Sequence, residues 1–175
     1  MNDTPEAKLL SIKMLIMDVD GVLTDGSMIF NDDGTESKTF NVRDGSGIKY
    51  LMRNGIATAL LSARECEPVR RRAESLGIDH CITGALDKLP AYRDLLEQTG
   101  LTDADVCYVG DDLPDIPPMR VAGFPVTVAD AVDEVKLFAA YVTQARGGRG
   151  AVREIAEMIL KAQGKWENVM KRYLA

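Results

Sequence analysis

The chain has 175 residues, 46% hydrophobic and 27% charged, with a net charge of −6, which is the make-up of one globular domain with a core, not of a disordered segment. Its acidity argues against bulk binding to nucleic-acid phosphates, no apolar run approaches the roughly 20 residues that span a bilayer, and the opening Met1–Glu6 lacks the basic and apolar regions of a secretion leader. One histidine and three cysteines without a C-x-x-C pair disfavour His-dependent triads, most zinc sites and a disulfide framework.

The first apolar run, Ile12–Met17, suits a buried strand better than a helix and stops at Asp18-Val19-Asp20-Gly21. Segments 27–30 and 36–41 flank the turn-rich Asn31-Asp32-Asp33-Gly34-Thr35 and predict a β-hairpin flap at about 26–41. Ile48, Leu51 and Met52 at helical spacing predict a helix over 44–53, closed by Asn54-Gly55. Further strands are expected at 56–61, 79–82, 106–109, 124–128 and 141–142. Helices are expected at 68–76, 89–98, 113–121, 132–138 and 151–163. Trp166, Val169, Met170 and Tyr173 continue a helical spacing into the tail, about 150–175. His80 and Cys81, adjacent on a strand, point to opposite faces and read as packing residues. The alternation predicts one α/β domain over 1–175, a Rossmann-like, doubly wound parallel sheet covered on both faces, and the leaderless start and cysteine usage lead us to expect it in the cytoplasm.

In open parallel sheets a ligand sits outside the carboxyl ends of the strands. Polar residues gather there: Asp18-x-Asp20 after the first strand, Ser62 after the strand at 56–61, Lys88 at the start of the helix that follows 79–82, and Gly110-Asp111-Asp112-x-x-Asp115 after 106–109. Each alone has an ordinary reading: Asp after a strand caps helices, lysine at a helix start is solvated, and serine turns the chain. Together they form a chemical set. Asp18, Asp111 and the carbonyl of residue 20 suit Mg²⁺, a hard cation that takes oxygen ligands and relieves repulsion between these acids and a phosphate dianion. Asp18 could attack phosphorus in line. Asp20 could protonate the leaving oxygen and later deprotonate water, while Ser62 and Lys88 serve the equatorial oxygens.

D-V-D-G-V-L-T-D-G at 18–26, Ser62, Lys88 and G-D-D-L-P-D at 110–115 resemble the four motifs of the haloacid dehalogenase superfamily of phosphotransferases. The resemblance implies a nucleophile at Asp18, an acid/base at Asp20, and phosphate contacts from Ser62 and Lys88. It implies Mg²⁺ ligation by Asp18, the Asp20 carbonyl and Asp111, with Asp115 behind them. An Asp at position 20 points to phosphoester chemistry. N-V-R-D-G-x-G-I at 41–48 and G-G-R-G-A-V-R-E at 147–154 are similar to the 3-deoxy-D-manno-octulosonate 8-phosphate phosphatases of lipopolysaccharide precursor synthesis, a similarity that covers about 12 to 164. It implies a sugar-acid phosphate substrate, bound by Asn41, Val42, Arg43, Asp44, Gly45, Lys49, Arg64, Arg72, Arg146 and Arg149 along with Asp20 and Lys88.

Two positions depart from the family pattern. Ala63 stands where Gly is usual, and Ala tolerates fewer backbone angles; Lys49 stands where Arg is common and lacks its planar fork. The stretch from Asp18 to Ser62 holds only a hairpin and one helix, and the next, to Lys88, one helix and one strand, so neither holds a cap domain. The resemblance implies a homotetramer in which a neighbour's hairpin and C-terminal segment cover the site. Arg146-Gly147-Gly148-Arg149-Gly150 fits that role, with glycines for close approach and arginines for a carboxylate or phosphate. The alternatives are a 9-phosphate phosphatase of nine-carbon sugar acids and a catalytically idle oligomerisation domain. A phospho-receiver domain fits less well, because its phosphorylated Asp ends the third strand, where Ser62 stands.

Overall fold

The computed structural model describes residues 4–174; residues 1–3 and 175, the extremes of the domain read from the sequence, lie outside the described residues. A short helix α1 (Pro5–Ser11), capped by the Thr4 hydroxyl, leads into strand β1 (Met14–Met17). The hairpin follows as β2 (Ile29–Phe30) and β3 (Glu36–Ser37), then α2 (Val42–Arg53), β4 (Ala57–Leu61), α3 (Glu67–Leu76), β5 (His80–Ile82) and α4 (Lys88–Thr99). The second half runs β6 (Val106–Gly110), α5 (Ile116–Met119), β7 (Phe124–Thr127), α6 (Asp133–Lys136), β8 (Tyr141–Val142), α7 (Ala151–Ala162) and α8 (Trp166–Leu174). Among the described residues the main sheet has six strands in the order β5-β4-β1-β6-β7-β8, and every pairing is parallel.

Strand β1 is apolar throughout because a central parallel strand has no solvent face. Its side chains alternate between two cores. Leu15 and Met17 pack with Ile48 and Leu51 of α2, Val69 and Ala73 of α3, and Ile155 and Ile159 of α7. Met14 and Ile16 pack with Tyr92, Leu95 and Leu96 of α4 and Met119 of α5. The half-buried Cys81 on edge strand β5 packs against the first core. None of the described helices is long and apolar enough to cross a membrane.

Several elements differ from expectation: the paired strands of the hairpin are only two residues each, and α6 is a single turn where a helix over 132–138 is expected. Helix α1 is additional. Helix α2 begins at Val42, two residues early, because the Asn41 side chain accepts the Arg43 amide at 2.8 Å and caps it there. The helix expected at 113–121 is a 3₁₀ turn, Leu113–Asp115, followed by the single turn of α5; Pro114, Pro117 and Pro118 bring no N–H donors to it.

Gly150 stands at the capping position just before helix α7 and has no side chain to cap it. Asp44 of α2 supplies the cap instead: its two oxygens accept the amides of Gly150 (3.1 Å) and Arg153 (2.8 Å). The residue is 1% exposed, and burial raises its pKa although these amides work to lower it. Asp44→Ala should therefore cost about 2 kcal/mol in urea unfolding, the cost of a lost cap and unpaired buried donors. Helix α8 lies on the same side, where Tyr50 of α2 meets Trp166 and Tyr173 edge-on, each at 6.2 Å.

Candidate active site

Strand β1 sits between β4 and β6, where the strand order reverses and the connections run to opposite sides, so the loops after these strands diverge and leave a crevice. Asp18, Asp20, Ser62, Ala63, Arg64, Lys88, Asp111, Asp112 and Asp115 line a cleft of about 260 Å³ there. The loop after β1 is folded around Thr24, whose hydroxyl donates to the Val19 carbonyl and accepts the amides of Gly21 and Gly26. Gly21 has φ +86°, and a Cβ there would lie 2.0 Å from Asp111 Oδ2. Glycine is what allows the two loops to meet.

Lys88 is 3% exposed. Its Nζ lies 2.9 Å from Asp18 Oδ1 and 2.7 Å from Asp115 Oδ1. Asp115 is already saturated: Oδ1 also accepts the Tyr108 hydroxyl at 2.7 Å, and Oδ2 accepts the amides of Asp111 (3.0 Å) and Asp112 (3.3 Å). Burial pushes the Asp18 carboxyl up to about 7, with the charge of Asp115 adding to it and Lys88 opposing. Burial likewise pushes Asp111 up to about 8, with Asp18 and Asp115 adding. Burial works against the charge on Lys88, but Asp18 and Asp115 outweigh it and hold the lysine above its usual value.

This arrangement fits a hard cation. Asp18, Asp111 and Asp115 each present an oxygen within 4.8 Å of the others. Asp111 Oδ1 is buried with no hydrogen-bond partner among the described residues, an oxygen that is expensive to leave unpaired. Asp18 and Asp111 thus have the spare ligand capacity, and Asp115 orients the loop and Lys88.

The remaining sequence-predicted residues do not line this cleft. Asn41, Val42 and Arg149 line a separate hollow of about 200 Å³ with Asp25, and Arg149 pairs with Asp25 at 3.1 Å. Arg43 and Arg146 are exposed, and Lys49 is half-buried on α2. Gly45 and Arg72 meet between α2 and α3, where a Cβ on Gly45 would lie 2.4 Å from the guanidinium. Asp44, grouped in sequence with the substrate contacts, has both oxygens committed to the α7 cap and does not line the cleft. The close approach allowed by the glycines after Arg146 is to the chain's own loop: a Cβ on Gly147 would lie 1.7 Å from the Gly21 carbonyl oxygen, and Gly148 donates its amide to Val22 O at 2.9 Å.

Residues 82–155 match a family model described as haloacid dehalogenase-like hydrolase. Over 159 residues the chain is 46% identical to the 3-deoxy-D-manno-octulosonate 8-phosphate phosphatase KdsC of Escherichia coli K12, an alignment that covers 91% of this chain and 85% of the relative. The chain belongs to the KdsC family of haloacid dehalogenase-like hydrolases. Solved KdsC-family and related structures match it along its length. A YrbI-family phosphatase from Pseudomonas syringae pv. phaseolica 1448a superposes with a TM-score of 0.96 at 46% identity, covering 100% of this chain and 99% of the other. The 3-deoxy-D-manno-octulosonate 8-phosphate phosphatase of Moraxella catarrhalis, solved with a magnesium ion, a phosphate ion and KDO, superposes with a TM-score of 0.95 at 40% identity, covering 99% of both chains.

The cleft of this KdsC-family chain also involves residues that the sequence motifs do not single out. Lys38 of the hairpin donates to Asp20 Oδ1, and Glu36 pairs with both Lys38 (3.0 Å) and Arg64 (2.9 Å). Their signal in the sequence is an E-x-K alternation at the end of the flap, which puts both side chains on one face without saying what that face meets.

Proposed function

We propose that the chain is a Mg²⁺-dependent phosphomonoesterase that hydrolyses 3-deoxy-D-manno-octulosonate 8-phosphate to KDO and phosphate, in lipopolysaccharide precursor synthesis. The observation that carries the reading is the cleft itself: an Asp18 carboxylate 2.9 Å from a buried lysine, beside an Asp111 oxygen that has no partner among the described residues. Asp18, Asp111 and the Asp20 carbonyl hold the Mg²⁺, which offsets the charge of the phosphate when bound. An Asp18 oxygen attacks phosphorus as the ester P–O bond breaks, and Asp20 gives its proton to the departing sugar oxygen. Water then loses a proton to Asp20 and attacks the aspartyl-phosphate; the Asp18–phosphorus bond breaks and phosphate leaves. Ser62 and Lys88 direct a hydroxyl and a cation at the equatorial oxygens, where charge must be stabilised.

The family relationship favours an eight-carbon sugar acid over a nine-carbon one, and the filled catalytic positions argue against an idle scaffold. The working assembly in this reading is a homotetramer in which a neighbour's hairpin and C-terminal segment cover the cleft. The exposed apolar side chains of the hairpin, Met28, Ile29 and Phe30 (68% exposed), support such an association. The same reading places the protein in the cytoplasm, where its three cysteines, free in the structure, stay reduced.

The test is phosphate release with and without Mg²⁺ across a panel of eight- and nine-carbon sugar-acid phosphates. Highest kcat/KM on the eight-carbon ester is expected; a clear preference for the nine-carbon ester, or no release, would refute the assignment. The substrate carboxylate needs a cation that the four motifs do not supply, and the exposed Arg146 and Arg149 are the candidates. Replacing both by Ala should lower kcat/KM about tenfold or more on the sugar-acid phosphate, the scale of a charge-assisted hydrogen bond, and by much less on p-nitrophenyl phosphate.

A further inference from the structure

Asp20 is not left to rotate in its loop. Glu36 and Lys38, two residues apart at the end of the hairpin, share one face, and the Lys38 side chain is 0% exposed beneath it. Its ammonium donates to Asp20 Oδ1 and pairs with Glu36 Oε1 at 3.0 Å. The other Glu36 oxygen accepts from Arg64 Nη2 at 2.9 Å, and the Arg64 amide donates to Ser62 Oγ at 3.3 Å. A line of alternating charge, Asp20–Lys38–Glu36–Arg64, therefore runs from the loop after β1, through the hairpin, to the loop after β4.

An enclosed ammonium holds its place only with its counter-charges, and each member of such a group restricts the others. Lys38 occupies one oxygen of Asp20 and leaves the second to carry a proton. We propose that Lys38 is a positioning residue that fixes the rotamer of Asp20 so that its free oxygen faces the ester oxygen, which makes the hairpin part of the proton-transfer apparatus. Glu36 acts behind it by holding Lys38, with Arg64 as counterweight. This role for Lys38 rests on the proposed phosphatase reading, in which Asp20 is the acid.

The leaving group provides the readout. An acid matters most when the departing oxygen is strongly basic, as in a sugar alkoxide, and least when it leaves readily, as aryl oxides do. The experiment compares Lys38→Met with the wild-type chain in kcat/KM on 3-deoxy-D-manno-octulosonate 8-phosphate and on p-nitrophenyl phosphate, with Mg²⁺ saturating and folding checked by thermal melting. A loss of roughly thirtyfold or more on the sugar phosphate and several-fold less on the aryl phosphate is expected, within the 10²–10⁴ range of general acid catalysis. Equal losses on the two esters, or no loss on either, would overturn the proposal. Should Lys38→Met fail to fold, Lys38→Arg, which keeps the cation but displaces its donor, replaces it in the same comparison: an unequal loss supports the positioning role, and an equal loss or none overturns it. A wild-type chain that releases phosphate from no ester refutes the phosphatase reading itself; an active wild type with equal losses in the variant refutes only the role of Lys38.

Discussion

Asp18→Asn is expected to lower phosphate release by about 10⁴-fold or more while the chain still folds, since an amide cannot take the place of the carboxylate nucleophile. Near wild-type release from this variant would dismiss the covalent mechanism. The same substitution has a second expected effect, on stability without metal. The native pKa of Asp18, about 7, lies above its ordinary 3.8, so between those values the folded chain binds more protons than the unfolded one, and stability falls as pH rises. In chelator, the melting temperature of the wild-type chain should decline from pH 5 to pH 8, with Asp111, raised to about 8, contributing in the same direction. Asp18→Asn should flatten that decline, and Mg²⁺ should stabilise the wild type more at pH 8 than at pH 5, where protons compete for the same oxygens. A variant that melts below the wild type by the same margin at every pH would mean that the neutral cleft is not relieved of repulsion.

Lys88→Met should cost about 3–5 kcal/mol in urea unfolding at pH 8, because it removes the cation from a group of buried carboxylates. Lys88 bridges Asp18 and Asp115 at 2.9 and 2.7 Å, and its raised pKa keeps it charged throughout the neutral range. Asp115 would keep the Tyr108 hydroxyl and two amides, but Asp18 and Asp111 would face it without compensation. At pH 5 both can protonate, so the loss should shrink there, and Mg²⁺ at pH 8 should recover part of it. Equal losses at both pH values would assign the effect to packing of the lysine stem and not to its charge.

The strand ends that line the cleft are legible because they are local: an apolar run that stops at acids marks both the strand and the place where it leaves the sheet. The hairpin and most helices are marked by turn residues and spacing in the same way. Helix α1 is not, because seven residues carry little periodic signal and its last carbonyls are satisfied from far along the chain, where Gln163 Nε2 donates to Leu9 O (3.0 Å) and Ile12 O (2.8 Å). Asp44 sits in a motif read as substrate-facing, yet its chemistry is decided by two amides at 150 and 153. Lys38 is a parallel case, since strand alternation fixes which side chains share a face but not which face meets Asp20. Ala63 sits in its turn without backbone strain. Among the described residues no non-glycine has positive φ, so that turn does not require glycine.

The Asp44 cap and the seating of Gly147 and Gly148 on the loop after β1 have a consequence for the order of biosynthesis. The acidic loop is made early, but the amides and glycines that brace it arrive at the far end of the chain, the Asp44–Arg153 pair spanning 109 positions. At ~5–20 residues per second of translation, the ribosome spends roughly 5–20 s with Asp44 exposed and the loop without its brace. A chain that stops short of residues 147–153 therefore lacks the amides and glycines that brace the acidic loop.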